Sequence, residues 1–172
     1  QSVISAAAEV LAEAGLLDAS DALLTKELAR SHSPYYFMLG LAANARKRGD
    51  KAGALEWAEQ AYAAAKGPAT RLQWGVGYVK ALIATAPQDA ARIESAVGQI
   101  IGELEPAPET FYERNRRALE RMGKELVAWN KNKQHDASLQ RIRGQMETVC
   151  AKLPAADPAR VTCDGALRPA KA

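Results

Sequence analysis

Phenylalanine, histidine and cysteine each occur only twice in this sequence, and aromatic residues make up 6% of it. Valine and isoleucine are sparse as well, so the residues that fit a pleated sheet are in short supply and a strand-built fold is disfavoured. Cys150 and Cys163 match neither a C-x-x-C nor a zinc pattern, and His32 and His135 lie far off in sequence, which leaves no ligand set for a metal. Catalytic groupings are missing too: there is no nucleophile with its base and orienter, no pair of carboxylates bound to share a pocket, and no cofactor motif. No apolar run approaches the roughly 18 residues that span a bilayer, and no charged stretch leading into an apolar one opens the chain. With 23 basic residues against 20 acidic ones, the concentrated positive field of a nucleic-acid binder is absent. These absences argue against an enzyme, a metal protein, a membrane span and a nucleic-acid partner.

What the chain has is alanine. It is 48% apolar over 172 residues, enough for one domain or a compact array of small repeats. Small helix-forming side chains let neighbouring helices approach closely. The chain opens on Gln1 rather than Met and is already amphipathic over residues 3–17, so it is expected to be a piece of a longer polypeptide, with any targeting signal upstream.

One stretch imitates chemistry. In "GPATRLQWGVGYVKAL", residues 67–82, the order Gly75, Gly77, Lys80 suggests a phosphate loop. Such a loop needs its glycines between a strand and a helix start, where N–H groups are free. Pro68 instead suits the first turn of a helix that runs past both glycines. On that helix Leu72, Val76, Val79 and Ile83 form one face and Trp74, Tyr78, Ala81 and Thr85 an adjacent one, so apolar contact spreads over a wide arc. A mid-helix glycine costs about 1 kcal/mol against alanine, so two of them suggest close approach by a neighbouring helix or a partner backbone.

The surroundings repeat. "AEAGLLDASDALLTKELARSHSP" (12–34) and "RKRGDKAGALEWAEQAYAAAKGP" (46–68) share a layout of glycine, acidic residue, alanine-rich amphipathic run and proline; Gly15 aligns with Gly49 and Pro34 with Pro68 at a period of 34 residues. That is the length of a tetratricopeptide helix pair, and one such hairpin cannot bury its own apolar face, so neighbours must stack. The second unit resembles the tetratricopeptide pattern closely: Leu41 and Ala42 stand at its Leu-Gly pair, Gly49 and Asp50 at the turn, Ala54 and Ala61 at its small positions. Met38 and Ala45 replace the preferred aromatics, and Ser20 replaces the small alanine of the first unit, which marks the repeats as degenerate.

A third pair follows, with Ile93, Val97, Ile100, Ile101 and Leu104 on its second helix. A fourth comes after the break "EPAPET", with Tyr112, Leu119, Met122, Leu126 and Trp129 on one helix and Leu139, Ile142, Met146, Val149 and Leu153 on the next. The expected fold is all-α, a right-handed solenoid of about four antiparallel helix pairs near 2–32, 35–66, 69–104 and 109–153. The repeat domain is then 1–153. Residues 154–172, broken at Pro158 and Gly165, are expected to be an irregular tail.

Cys150 and Cys163 favour a structural disulfide over free thiols, which would tie the tail back as a cap and imply an oxidising compartment. The rival reading makes them a redox-active pair. His32 and His135 read as surface or capping residues. Arg114, Arg117, Arg121 and Lys124 form a basic edge opposite the apolar stripe of their helix: ordinarily a solvated face partly neutralised by Glu113, Glu120 and Glu125, alternatively a docking strip for an acidic partner. The aromatics Tyr35, Tyr36, Phe37, Trp57 and Tyr62 read as core by default, the alternative being that one or two of Tyr36, Trp74 and Tyr78 line the inner surface of the repeats.

Function is expected on the inner surface built by the first helix of each pair. Aligned on the period, its residues are Tyr36, Leu39, Ala43, Arg46 and Lys47 in the second unit and Thr70, Gln73, Gly77 and Lys80 in the third. An aromatic, an amide, small residues and three cations suit an extended peptide bearing acidic groups. The alternative is a scaffold for self-association.

Beyond the repeat, "SHSPYYFMLGLAANARKRGDKAGALEWAEQAY", "GPATRLQWGVGYVKALI", "APQDAARIE" and "VCAKLPAADPARVTCDG" together resemble the helical C-terminal region of bacterial thioredoxin-fold proteins of the disulfide-isomerase kind. The resemblance implies an upstream thioredoxin-like domain carrying the redox Cys-x-x-C and export to the cell envelope or periplasm. It carries over no catalytic residue, cofactor or metal to this chain.

Overall fold

The computed structural model describes residues 3–168. Among them every regular element is helical, and the chain divides into two compact units, 1–66 and 67–172. The expected start of the first pair at residue 2 lies outside the described residues.

The first unit holds α1 (Val3–Glu13), α2 (Leu17–Leu28), α3 (Tyr35–Lys47) and α4 (Lys51–Ala64). Its repeat is literal at the backbone. Gly15 and Gly49 both take left-handed φ, +80° and +78°. Each closes its helix by the same pair of bonds: the Leu16 N–H donates to the Leu11 carbonyl and the Asp50 N–H to the Ala45 carbonyl, both at 2.9 Å. This is the Schellman ending, which asks for glycine because a Cβ is costly at that φ. Asp50 then caps α4, its carboxylate accepting from the Gly53 N–H at 2.9 Å.

Consecutive helices pack, and α1 also lies against α3. Ala8, Leu24, Phe37 and Leu41 make a core flanked by Ile4, Leu23, Leu28 and Trp57. Ala42, Ala54, Ala58 and Ala61 are buried along α3 and α4, where small side chains permit the close approach. A polar seam joins α1, α2 and α3. The Ser20 hydroxyl donates to the Ala8 carbonyl at 2.7 Å, and the buried Asn44 amide donates to Ser20 Oγ at 2.9 Å and to Asp21 at 2.7 Å. Buried polar groups are tolerated when partnered in this way. Ser20 is therefore a hydrogen-bonded substitute for the repeat's alanine.

The second unit holds α5 (Pro68–Thr85), α6 (Ala90–Gly102), a short 3-10 helix (Pro108–Phe111), α7 (Glu113–Trp129), α8 (Asp136–Cys150) and α9 (Pro158–Gly165). Helix α5 packs on α6 and α7, and α6 on α8. Leu82, Ile93, Ile100, Ile101, Leu119, Met122, Leu126 and Ile142 are fully buried, each worth about 1.5–3 kcal/mol relative to exposure. Bidentate Arg71–Glu103 and Arg141–Glu94 pairs tie α5 to the end of α6 and α8 to α6.

The segment after Leu153, expected to be irregular, forms a helix in its middle. Pro158 occupies the first turn and Asp157 caps it, accepting from the Ala159 N–H at 2.8 Å; the proline read as a break is a start. Helix α9 lies on α8 and on the 3-10 helix. Arg143 of α8 donates to the Leu167 carbonyl at 3.2 Å, and Arg160 to the Leu153 carbonyl at 3.2 Å.

Two more expectations are corrected. Tyr112, placed on the α7 apolar face, is 69% exposed; Phe111 is the buried aromatic of this junction. The chain enters α7 through Glu113 at φ +41°, which breaks the helical phase that the spacing assumed. At Gly77 no neighbouring helix makes the close approach: a Cβ there would meet open space. His135, expected at the surface or in a cap, stands at the N-cap of α8; its ring stacks on Trp129 with centroids 3.8 Å apart, and Trp129 Nε1 donates to the Pro87 carbonyl at 2.7 Å.

Candidate interaction site

Gly75 and Gly77 both lie inside α5, where the backbone N–H groups of a helix interior are taken up by carbonyls one turn back. The strand-to-helix turn of a phosphate loop is not formed there.

The nine residues expected on the inner surface fall on two helices, one in each unit. On α3, Tyr36, Arg46 and Lys47 are exposed and Leu39 and Ala43 half-buried. At 100° per residue these five occupy an arc of about 100°, so they share one side of the helix. Tyr36 is 54% exposed, while its neighbour Tyr35 is buried with the two ring centroids 4.8 Å apart. The buried ring steadies the exposed one. Among the described residues neither Arg46 nor Lys47 forms an ion pair.

The next residue behaves differently. Arg48 reaches Asp18 at 2.8 Å and Asp21 at 2.6 Å, and the hydrogen bond it donates to Asp18, helped by Asp21, raises its pKa further. One arginine is thus used by the fold and two neighbouring cations are left to solvent.

On α5, Gly77 and Lys80 are exposed and Thr70 and Gln73 half-buried. Their spacing confines them to an arc of about 80°. Lys80 Nζ stands 3.9 Å from Glu125 Oε1 of α7. An exposed pair at that distance contributes little to stability. The sequence reading placed no α7 residue beside these four; Met122-Gly123, standing like the Leu-Gly pair of the repeat, is the signal that α7 is another first helix.

Cys150 and Cys163 are joined as a disulfide with Cα atoms 5.6 Å apart, and both are buried, at 1% and 0% exposure. Beside them Arg143, Met146, Glu147, Asp164, Leu167 and Arg168 line a shallow recess whose space, about 10 Å³, holds at most one water. Among the described residues no three His, Cys, Asp or Glu side chains are grouped to hold a metal ion. No described helix is long and apolar enough to cross a membrane.

No family model and no curated protein matches this chain. Its likeness is to solved structures of a Podosopora anserina kinesin light chain with nearly identical TPR-like repeats, the parent form and a single-substitution variant. Both are 16% identical, with a TM-score of 0.52 over 95% of this chain and 82% or 81% of the other. At that identity the likeness speaks to the fold: this chain is an all-helical array of tetratricopeptide-like repeats.

Proposed function

We propose that this chain is a non-catalytic module that binds a protein or peptide through the solvent-facing side of α3. The observation that carries the reading is the set Tyr36, Arg46 and Lys47: an aromatic and two cations exposed on one side of α3, in a unit whose other arginine at this site is engaged by Asp18 and Asp21. A Tyr beside free cations is the composition of an interface anchor.

In the same reading the module is the helical part of a thioredoxin-like protein of the bacterial cell envelope, and the oxidising periplasm maintains the Cys150–Cys163 bond. The rival oxidoreductase reading is disfavoured because exchange requires thiolate access to a sulfur, whereas both sulfurs belong to buried residues beside a water-sized recess. The test is a selection of binders from a random peptide library. Replacing Arg46 and Lys47 by Ala should weaken the selected peptides while leaving the melting temperature unchanged. Failure to select any binder, or undiminished binding by the double variant, overturns the assignment.

A further inference from the structure

The basic edge of α7 is not explained by the fold. Arg114, Arg117, Arg121 and Lys124 are all exposed, and among the described residues none of them forms an ion pair. The same helix supplies carboxylates, but two of these are engaged elsewhere: Glu120 with Arg116 at 3.6 Å and Glu125 with Lys80 at 3.9 Å. At 100° and 1.5 Å per residue the four cations fill an arc of about 80° and a length of about 15 Å. Glu113 and Glu120 border that arc on one side and Glu125 on the other. The unpaired positive charge is therefore a narrow strip flanked by carboxylates, of which Glu120 and Glu125 are already paired with Arg116 and Lys80.

The width selects the partner. A duplex or an anionic membrane presents negative charge across a broad front, and on either side of the strip it would meet the paired Glu120–Arg116 and Glu125–Lys80 rather than free cations. A single polypeptide segment can lie within it. At the N-terminal end of the strip stands Tyr112, 69% exposed. It sits between the buried Phe111 and Glu113, whose left-handed φ of +41° is unusual for a residue with a side chain and is the kind of strain that gathers at binding sites. An exposed ring two residues before the first of these arginines offers an apolar contact at the end of a row of forked carboxylate donors.

We propose that α7 docks an acidic peptide segment of a partner protein, with carboxylates along Arg114, Arg117, Arg121 and Lys124 and an apolar residue of that segment against Tyr112. This deepens the binding-module reading by adding a surface and a ligand chemistry in the second unit; it does not use Tyr36, Arg46 or Lys47.

The test uses a fluorescein-labelled peptide of glutamate and alanine with one leucine near an end, followed by fluorescence anisotropy. Controls are the same peptide with Gln for Glu, a single-stranded oligonucleotide, and vesicles containing phosphatidylserine. The expected result is binding to the Glu peptide that exceeds all three controls and weakens severalfold with added salt. Arg117→Glu with Arg121→Glu should lower the affinity by about tenfold or more, and Tyr112→Ala by severalfold, with the circular dichroism spectrum unchanged. If the charge-reversed variant loses its helicity, Arg117→Gln with Arg121→Gln is held to the same criterion. Retained binding in the folded variant, equal binding of the Gln peptide, or tighter binding of the oligonucleotide or vesicles overturns the inference. Failure of the glutamate peptide to bind a protein that still binds library-selected peptides removes this inference alone; an empty selection removes the module reading.

Discussion

The carbonyl oxygen of Ala166 lies against Gly123, close enough that a β-carbon on that glycine would collide with it. Gly123 is buried in the middle of α7, and Ala166 follows α9 directly. The last helix pair is thus completed by the C-terminal segment, which rests on α8 through the disulfide and reaches α7 through a backbone contact that only glycine allows.

Gly123→Ala should therefore destabilise the second unit. A backbone atom cannot rotate aside, so the overpacking cost of about 1–3 kcal/mol exceeds the roughly 1 kcal/mol that alanine gains in a helix. Gly77→Ala is the matched control: the space at its Cβ is open, and the change should stabilise α5 by about 0.5–1 kcal/mol. Urea unfolding of the two variants should move the midpoint in opposite directions.

Breaking the disulfide should release the same contact. Cys150 and Cys163 are 13 residues apart, and closing such a loop contributes about 3 kcal/mol in the chain-entropy model. Cys150→Ala with Cys163→Ala should lower the stability of the second unit by an amount of that order. Alkylation of the unreduced, denatured protein followed by intact mass should find neither cysteine labelled; two labels would show that the bond is not present in the protein as made.

The Glu94–Arg141 pair gives the α6–α8 contact a pH dependence. The Arg141 guanidinium, at 2.6 and 2.8 Å, holds the Glu94 carboxyl below its ordinary value, with help from Ser138 and against partial desolvation. A carboxyl depressed on folding contributes stability above its unfolded pKa, about 4.3, and loses that contribution as pH falls through the folded value. Arg141→Ala should raise the Glu94 pKa in an NMR titration. The stability gap between wild type and variant should be widest near neutral pH and close in acid. A Glu94 titration unmoved by the substitution would contradict the assignment.

Much of the helical organisation was legible because each signal was local. Gly15 and Gly49, one period apart, take the same φ and the same closing bonds. Ile93, Val97, Ile100, Ile101 and Leu104 are all buried as their spacing predicts. The tail was misread because Pro158 serves equally as a breaker or as a first-turn residue, and only the Asp157 cap and the surface of α8 choose between them. Tyr112 was misread because helical phase was extended across a junction where Glu113 turns left-handed.

At the candidate sites the same division holds. Spacing alone puts Tyr36, Leu39, Ala43, Arg46 and Lys47 on one side of α3, and Arg114, Arg117, Arg121 and Lys124 on one side of α7, because the angle per residue is a property of the backbone. Which charges remain for a partner was not in the spacing. Arg46, Lys47 and Arg48 are three adjacent cations in the sequence, yet only Arg48 finds Asp18 and Asp21, because α2 is brought against α3 on that side. The period of 34 and the helical faces were determined by sequence alone, through short-range geometry. The use of Arg48, the partnering of Lys80 and Glu125, and the seat of Ala166 on Gly123 were decided by tertiary structure, since each depends on the distance between helices far apart in the chain.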